Sequence, residues 1–264
     1  MSKKIYYYTD ELNDDFAEES IKHVDIDSNY KYIHNNIFWK ILSFIVYRII
    51  AMPIAFIYSK IAFGLEFKNR EILKQCKNSG YFIYGNHTQK VLDPFIPTLG
   101  NFPKKCYIVA HPDNVAIPFL GNFNKMMGGF PIPSDIKATK NFLYAMEKFI
   151  EKKCVISIYP EAHVWPYYSK IRNFVSTSFK YPVKLNKPVF SFTTTYKKRD
   201  GRKPKIIVYI DGPFYPNKEL NIKRAQEELR DRVYNQMCIR AQNTDVEYYK
   251  YEKVEKKESE INND

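Results

Sequence analysis

Short apolar runs bounded by turn residues alternate along this chain with longer stretches of helical spacing. The runs Tyr81–Tyr84, Cys106–Ala110, Cys154–Ile158, Lys187–Tyr196 and Lys205–Asp211 have the length and the β-branched or aromatic content of strands. Another short strand is expected within Met126–Ser134, entered through Gly128 and Gly129. Ser134 and Asp135 are good N-caps for a helix reaching Lys153, with Ala138, Phe142, Met146, Phe149 and Ile150 on one face. A second amphipathic helix is expected over Lys218–Asn243, with Leu220, Ile222, Ala225, Leu229, Val233 and Met237 turned inward. Strands that alternate with helices over residues 81–243 predict an α/β fold, a mainly parallel central sheet flanked by helices.

The pattern changes before residue 67. Ile37–Phe63 is strongly apolar, with Lys40, Arg48 and Pro53 the interruptions. A spanning helix needs about 20 mostly apolar residues. An Arg at the bilayer centre costs at least about 2.5 kcal/mol, and Pro53 removes a helix donor. The expectation is therefore two short helices hinged near Pro53 and lying in the membrane interface. A true span and a buried pair of core helices follow in that order. The chain divides into a polar lead-in (1–30), apolar interfacial helices (31–66), an α/β domain (67–243) and a charged tail (244–264). The tail is too poor in apolar residues to predict order.

A chain of 264 residues can bury a full α/β core. Its net charge of +12 favours anionic partners such as phospholipid headgroups or phosphorylated substrates. No zinc-finger spacing and no basic-aromatic RNA-binding signature is present, so no nucleic acid is expected. Cys76, Cys106, Cys154 and Cys238 lie far apart, as free thiols of a reducing compartment would. The first residues do not read as a cleavable signal peptide.

Chemistry is concentrated at the ends of two strands. After Tyr81–Tyr84 the chain runs Gly85-Asn86-His87-Thr88-Gln89-Lys90-Val91-Leu92-Asp93-Pro94. An imidazole is the side chain best suited to proton transfer near neutrality. A carboxylate on its far nitrogen, here Asp93, would fix the tautomer. The plainer alternative is a capping His in a surface turn. The run Cys154–Ile158 ends in Tyr159-Pro160-Glu161, where Glu161 would anchor a substrate hydroxyl or accept backbone N–H groups. Lys125, Lys170 and Arg172 are the nearby cations suited to phosphate, unless they form an ordinary solvated basic turn.

These segments, in this order, resemble the four motifs of the glycerolipid acyltransferases, the 1-acylglycerol-3-phosphate acyltransferase family. The first motif is Asn-His with Asp after four residues; here five intervene between His87 and Asp93. The second resembles Gly129-Phe130, with Ser134 where an Arg is usual. The third resembles Pro160-Glu161, with Ala162, His163 and Val164 in place of Gly-Thr-Arg. The fourth matches Pro188 and Val189 loosely. The resemblance implies acyl transfer from a thioester, acyl-CoA or acyl carrier protein, to lysophosphatidic acid or a related lysolipid. His87 would be the general base and Asp93 its partner. Asn86, Gln89, Glu161, Gly129, Lys125, Lys170 and Arg172 would form the substrate site, and Phe130, Pro188 and Val189 the acyl pocket. It implies no metal and no resident cofactor, and work at a phospholipid surface on the cytoplasmic face. A different lysolipid acceptor, or a non-catalytic membrane-binding protein of the same fold, are the alternatives.

Overall fold

The computed structural model describes residues 4–16, 24–115 and 120–255. In chain order the elements are β1 (Ile5–Tyr8), α1 (Ile37–Phe63), β2 (Glu66–Lys68), β3 (Tyr81–Gly85) and α2 (Ile96–Gly100). There follow β4 (Cys106–Ala110), α3 (Leu120–Met127), β5 (Gly129–Pro131), α4 (Ile136–Glu151) and β6 (Val155–Ile158). The chain closes with α5 (Lys180–Leu185), β7 (Val189–Lys197), β8 (Lys205–Phe214), α6 (Ile222–Ala241) and β9 (Lys250–Lys253).

Seven strands form the central sheet in the order β2-β8-β7-β3-β6-β4-β5. Every neighbouring pair is parallel except the β7–β8 hairpin. The expected α/β architecture is therefore present. β3 lies mid-sheet between β7 and β6, which is why all five of its residues are buried. Tyr81 and Ile83 join the core under α1 and α2, while Phe82 and Tyr84 join the core under α4 and α6. Such two-sided burial gives a continuous apolar run rather than an alternating one.

Helix α4 starts where expected, with Asp135 accepting from the Ala138 N–H at 2.7 Å, and the five residues assigned to its inner face are buried. On α6, Ala225, Leu229, Val233 and Met237 are buried, but Ile222 is exposed in the first turn.

The apolar segment corrects the expectation of two hinged helices. Residues 37–63 form one continuous helix, α1, capped by the Asn36 side chain and stopped by left-handed Gly64. Its middle, Ile45–Ala51, is a π segment placed just before Pro53. The wider turn takes up the missing proline donor without breaking the axis. Ser43, Tyr47, Ala51, Met52, Ala55, Ser59 and Phe63 make a buried stripe against the α/β domain. The other side is exposed, with Phe38 at 78%, Ile49 at 60% and Ile61 at 72%.

The two ends of the chain bring a second correction. The lead-in is expected to be loosely ordered and the tail to lack order towards its end, yet β1 and β9 pair in parallel, Ile5 with Lys250 through Tyr8 with Lys253. Aromatic packing orders them: Tyr6 stacks on Tyr251 with centroids 5.1 Å apart, and Tyr251 stacks on Trp165 at 5.0 Å. His23 and the last residues of the tail lie outside the described segments.

Candidate active site

The site grows from the carboxyl end of β3, where open α/β sheets place their ligands. Gly85 is required there because a Cβ would stand 2.1 Å from the Phe192 ring of β7. Asn86 then pins the departing loop. Its Nδ2 donates to the Thr194 carbonyl at 3.0 Å and its Oδ1 accepts from the Thr194 N–H at 2.8 Å. Gln89 donates to the Tyr196 hydroxyl at 3.0 Å, and that hydroxyl donates to Thr88 Oγ1 at 2.7 Å. Asn86 and Gln89 are thus buried and spent on holding the loop, and neither is presented to a substrate.

The extra residue of the first motif is absorbed by a turn. The Asp93 N–H donates to the Gln89 carbonyl at 2.9 Å, which leaves Lys90 and Val91 at the exposed tip and Leu92 in the core. Asp93 returns to His87, with Oδ2 2.6 Å from His87 Nδ1 and 2.8 Å from the Gln89 N–H that donates to it. Asp93 is buried and its Oδ1 has no hydrogen-bond partner. Burial pushes its carboxyl up from the ordinary range, while the His87 ring and the Gln89 and Thr88 N–H groups pull it down.

His87 is fixed on three further sides. Its ring stacks on Tyr159, with centroids 4.4 Å apart, and the Tyr159 hydroxyl donates to the Asp93 carbonyl at 2.6 Å. The His87 N–H donates to Glu161 Oε2 at 3.0 Å, and its carbonyl accepts from the Trp165 N–H at 3.0 Å. The side chain remains 21% exposed. With Nδ1 taken by the carboxylate, exchange of a proton with a ligand falls to Nε2.

Glu161 follows β6 and is wholly structural. Oε1 accepts from the Arg172 N–H at 3.0 Å, and the Arg172 guanidinium lies 3.4 Å from Oε2. Burial pushes the Glu161 carboxyl up, against Arg172 and the two backbone donors. Arg172 is 0% exposed; it also donates to the His163 carbonyl and to the Glu11 carbonyl at 3.3 Å, and it sits 4.8 Å over Trp165. Full burial among these partners corrects the expectation that Arg172 meets a phosphate. It holds Glu161, and Glu161 holds the His87 backbone.

Other expected residues lie elsewhere. Lys125 is at the outer edge of the sheet, 4.7 Å over the Tyr30 ring, in a small pocket that Gly129 and Phe130 also line. Phe130 is core, stacked on Phe142 at 4.3 Å. Pro188 and Val189 stand at the opposite end of the strands from His87: the Phe82 N–H donates to the Pro188 carbonyl, and Val189 pairs with Phe82 while Gly85 pairs with Phe192. They cannot line a pocket at the histidine. Lys170 is exposed on the Glu161–Arg172 loop. Ser134, in the place of the second-motif Arg, accepts from the Ile26 N–H at 2.9 Å. Sequence reading missed Tyr159, Tyr196 and Trp165. For Tyr159 a signal existed, since it stands between a strand and Pro-Glu, as His87 stands just past β3. Among the described residues no three of His, Cys, Asp and Glu group as metal ligands.

Comparison with known proteins fits this arrangement. Residues 64–194 match the family model described as Acyltransferase, a span that holds His87, Asp93, Glu161 and Arg172. These residues read as an acyltransferase domain. The fold is similar to that of PlsC, the 1-acyl-sn-glycerophosphate (LPA) acyltransferase of Thermotoga maritima, whose crystal structure aligns with a TM-score of 0.54 at 15% identity over 80% of this chain and 89% of that one. No curated protein matches the chain by sequence.

Proposed function

We propose that this protein transfers a fatty acyl group from a thioester, acyl-CoA or acyl carrier protein, to the free hydroxyl of a lysophospholipid such as 1-acylglycerol-3-phosphate. The observation that supports this best is the 2.6 Å bond between His87 Nδ1 and a buried carboxylate on a partly exposed ring. His87 Nε2 takes the hydroxyl proton as the oxygen attacks the thioester carbonyl. The C–S bond breaks as the tetrahedral adduct collapses, and the imidazolium returns its proton to the departing thiolate. Asp93 stabilises the charge on the ring throughout. The thioester is a co-substrate, and no acyl-enzyme is needed.

The exposed apolar face of α1 supports a location at a bilayer, where a lysolipid would reside. A stripe of buried residues from Ser43 to Phe63 ties it to the α/β domain. A helix tied in this way lies in the interface plane rather than across the membrane.

One observation favours a variant of this reading. The cations usual in the second and third motifs are replaced, and Arg172 is locked away. A lysolipid without a terminal phosphate is therefore the second acceptor class, and for a phosphate Lys170 is the remaining candidate on the Glu161 loop.

The test is acyl transfer from labelled thioesters to 1-acylglycerol-3-phosphate and a panel of other lysolipids, with the protein on vesicles. His87→Ala should lose at least about a hundredfold in rate. Lys170→Ala should raise KM for phosphate-bearing acceptors alone. Transfer that persists in His87→Ala would sink the assignment of the base.

A further inference from the structure

The basic turn between β7 and β8 has no part in the site described above. It reads Lys197-Lys198-Arg199-Asp200-Gly201-Arg202-Lys203-Pro204-Lys205, six cations and one carboxylate in nine residues. The fold sets this turn against the C-terminal end of α1. Lys203 Nζ stands 5.6 Å over the Phe63 ring. Gly64, which ends the helix at φ 59°, has Arg199 Nη1 and Lys205 Cγ 3.3 and 3.4 Å from where a Cβ would sit. Lys60 adds a cation in the last turn of the helix.

Two cations of the turn are balanced by carboxylates from outside it. Lys197 pairs with Asp245 at 3.2 Å and Lys205 with Glu66 at 2.5 Å. Lys198, Arg202 and Lys203 are exposed, and Arg199 Nη1 has no hydrogen-bond partner. Leading up to this cluster along α1 are Ile54, Ile57, Tyr58 and Ile61, exposed at 62, 55, 46 and 72%. An aliphatic strip that runs into a cluster of cations matches the boundary between acyl chains and phosphates in a bilayer. Nucleic acid would match the charge but has no use for the aliphatic strip beside it.

We propose that the 197–205 turn is a binding element for anionic phospholipid headgroups, which seats the C-terminal end of α1 on a negatively charged bilayer. This rests on α1 lying in the interface, and it adds a selectivity for lipid charge that the helix alone does not have.

The experiment is sedimentation of the full-length protein with neutral phosphatidylcholine vesicles and with the same vesicles containing phosphatidylglycerol, at low and high salt. The variants are Lys198→Glu/Arg202→Glu/Lys203→Glu and, as a control on the far side of the sheet, Lys137→Glu/Lys140→Glu. The expected result is about tenfold or greater tightening on anionic vesicles, weakened by salt, lost in the triple variant and kept in the control. Equal binding to both vesicles would overturn the proposal while leaving the interfacial helix intact. Binding to neither would remove both. A duplex oligonucleotide that binds with the same dependence on the three cations, and displaces the vesicles, would reassign the turn to nucleic acid. The wild-type lipid and salt comparison stands even if the triple variant does not fold.

Discussion

Asp93 is a carboxylate in the core with one oxygen bonded twice and the other not at all. Its raised carboxyl pKa, caused first by burial, has a defined consequence for stability. A group raised in the folded state holds more protons there than in the unfolded chain. Its contribution is complete below the unfolded value, near 4, and is lost as pH rises through the folded one. Asp93→Asn has no such loss. Its stability relative to the wild type should therefore improve as pH goes from about 4 to 7, followed by urea midpoints. The opposite trend would mean that His87 and Gln89 outweigh burial. A second residue-scale prediction concerns Ala162, which occupies the third-motif glycine position with φ 62°. A left-handed non-glycine residue is strained by about 1–2 kcal/mol, and glycine gives back part of that gain in unfolded-state entropy. Ala162→Gly should then stabilise by about 0.5–1 kcal/mol, or raise the melting temperature by a few degrees. A fall in melting temperature would contradict the strain.

At the scale of elements, the loop that holds His87 is itself held by both ends of the chain. Trp165, whose N–H reaches the His87 carbonyl, packs against Tyr8, Phe16 and Tyr251, and its indole donates to the Asp14 carbonyl at 2.7 Å. The Tyr251 hydroxyl donates to the Pro166 carbonyl at 2.7 Å. Tyr251→Ala removes two stacked pairs and one hydrogen bond, together about 2–4 kcal/mol. The expected outcome is that loss in denaturant titrations plus a fall in kcat with the acceptor KM unchanged. Tyr251→Phe should keep most of both. None of this was legible in the sequence, where Tyr6, Tyr8 and Tyr251 sit in polar segments with no apolar period. The central strands were legible because two-sided burial leaves β3 an unbroken apolar run and β6 one interrupted only by Ser157. Helix α4 was legible through its cap and stripe. In the site, His87, Asp93 and Glu161 could be found because they follow strand ends. That Asn86 would be spent on Thr194, 108 residues on, depends on the registry of β3 with β7, which no local pattern encodes. Pro188 and Val189 went astray for the same reason: strand membership was readable, but which end of the strand faces the site was not.

For the whole molecule, the two sides of α1 set stability against location. Its inner stripe covers the face of the sheet that carries Ile83, Phe192 and Val208, so the helix cannot leave without opening that core. Its outer side exposes a row of large aliphatic and aromatic residues, among them Phe38, Ile49, Ile57 and Ile61. A charge on the outer side should therefore affect the membrane and not the fold. Ile49→Asp/Ile57→Asp removes two residues exposed at 60 and 55%, each able to contribute about 1–2 kcal/mol on entering the acyl layer. Vesicle binding should fall by at least about a hundredfold, and the melting temperature should change little. Transfer to a long-chain lysolipid in vesicles should fall with binding, while transfer to a short-chain, water-soluble acceptor should persist. Ala55→Asp, on the inner stripe, should instead unfold the protein. If the outer pair unfolds it as well, that face is covered by protein rather than lipid. If activity toward the soluble acceptor also disappears, α1 contributes to the chemistry and not only to the place where it happens.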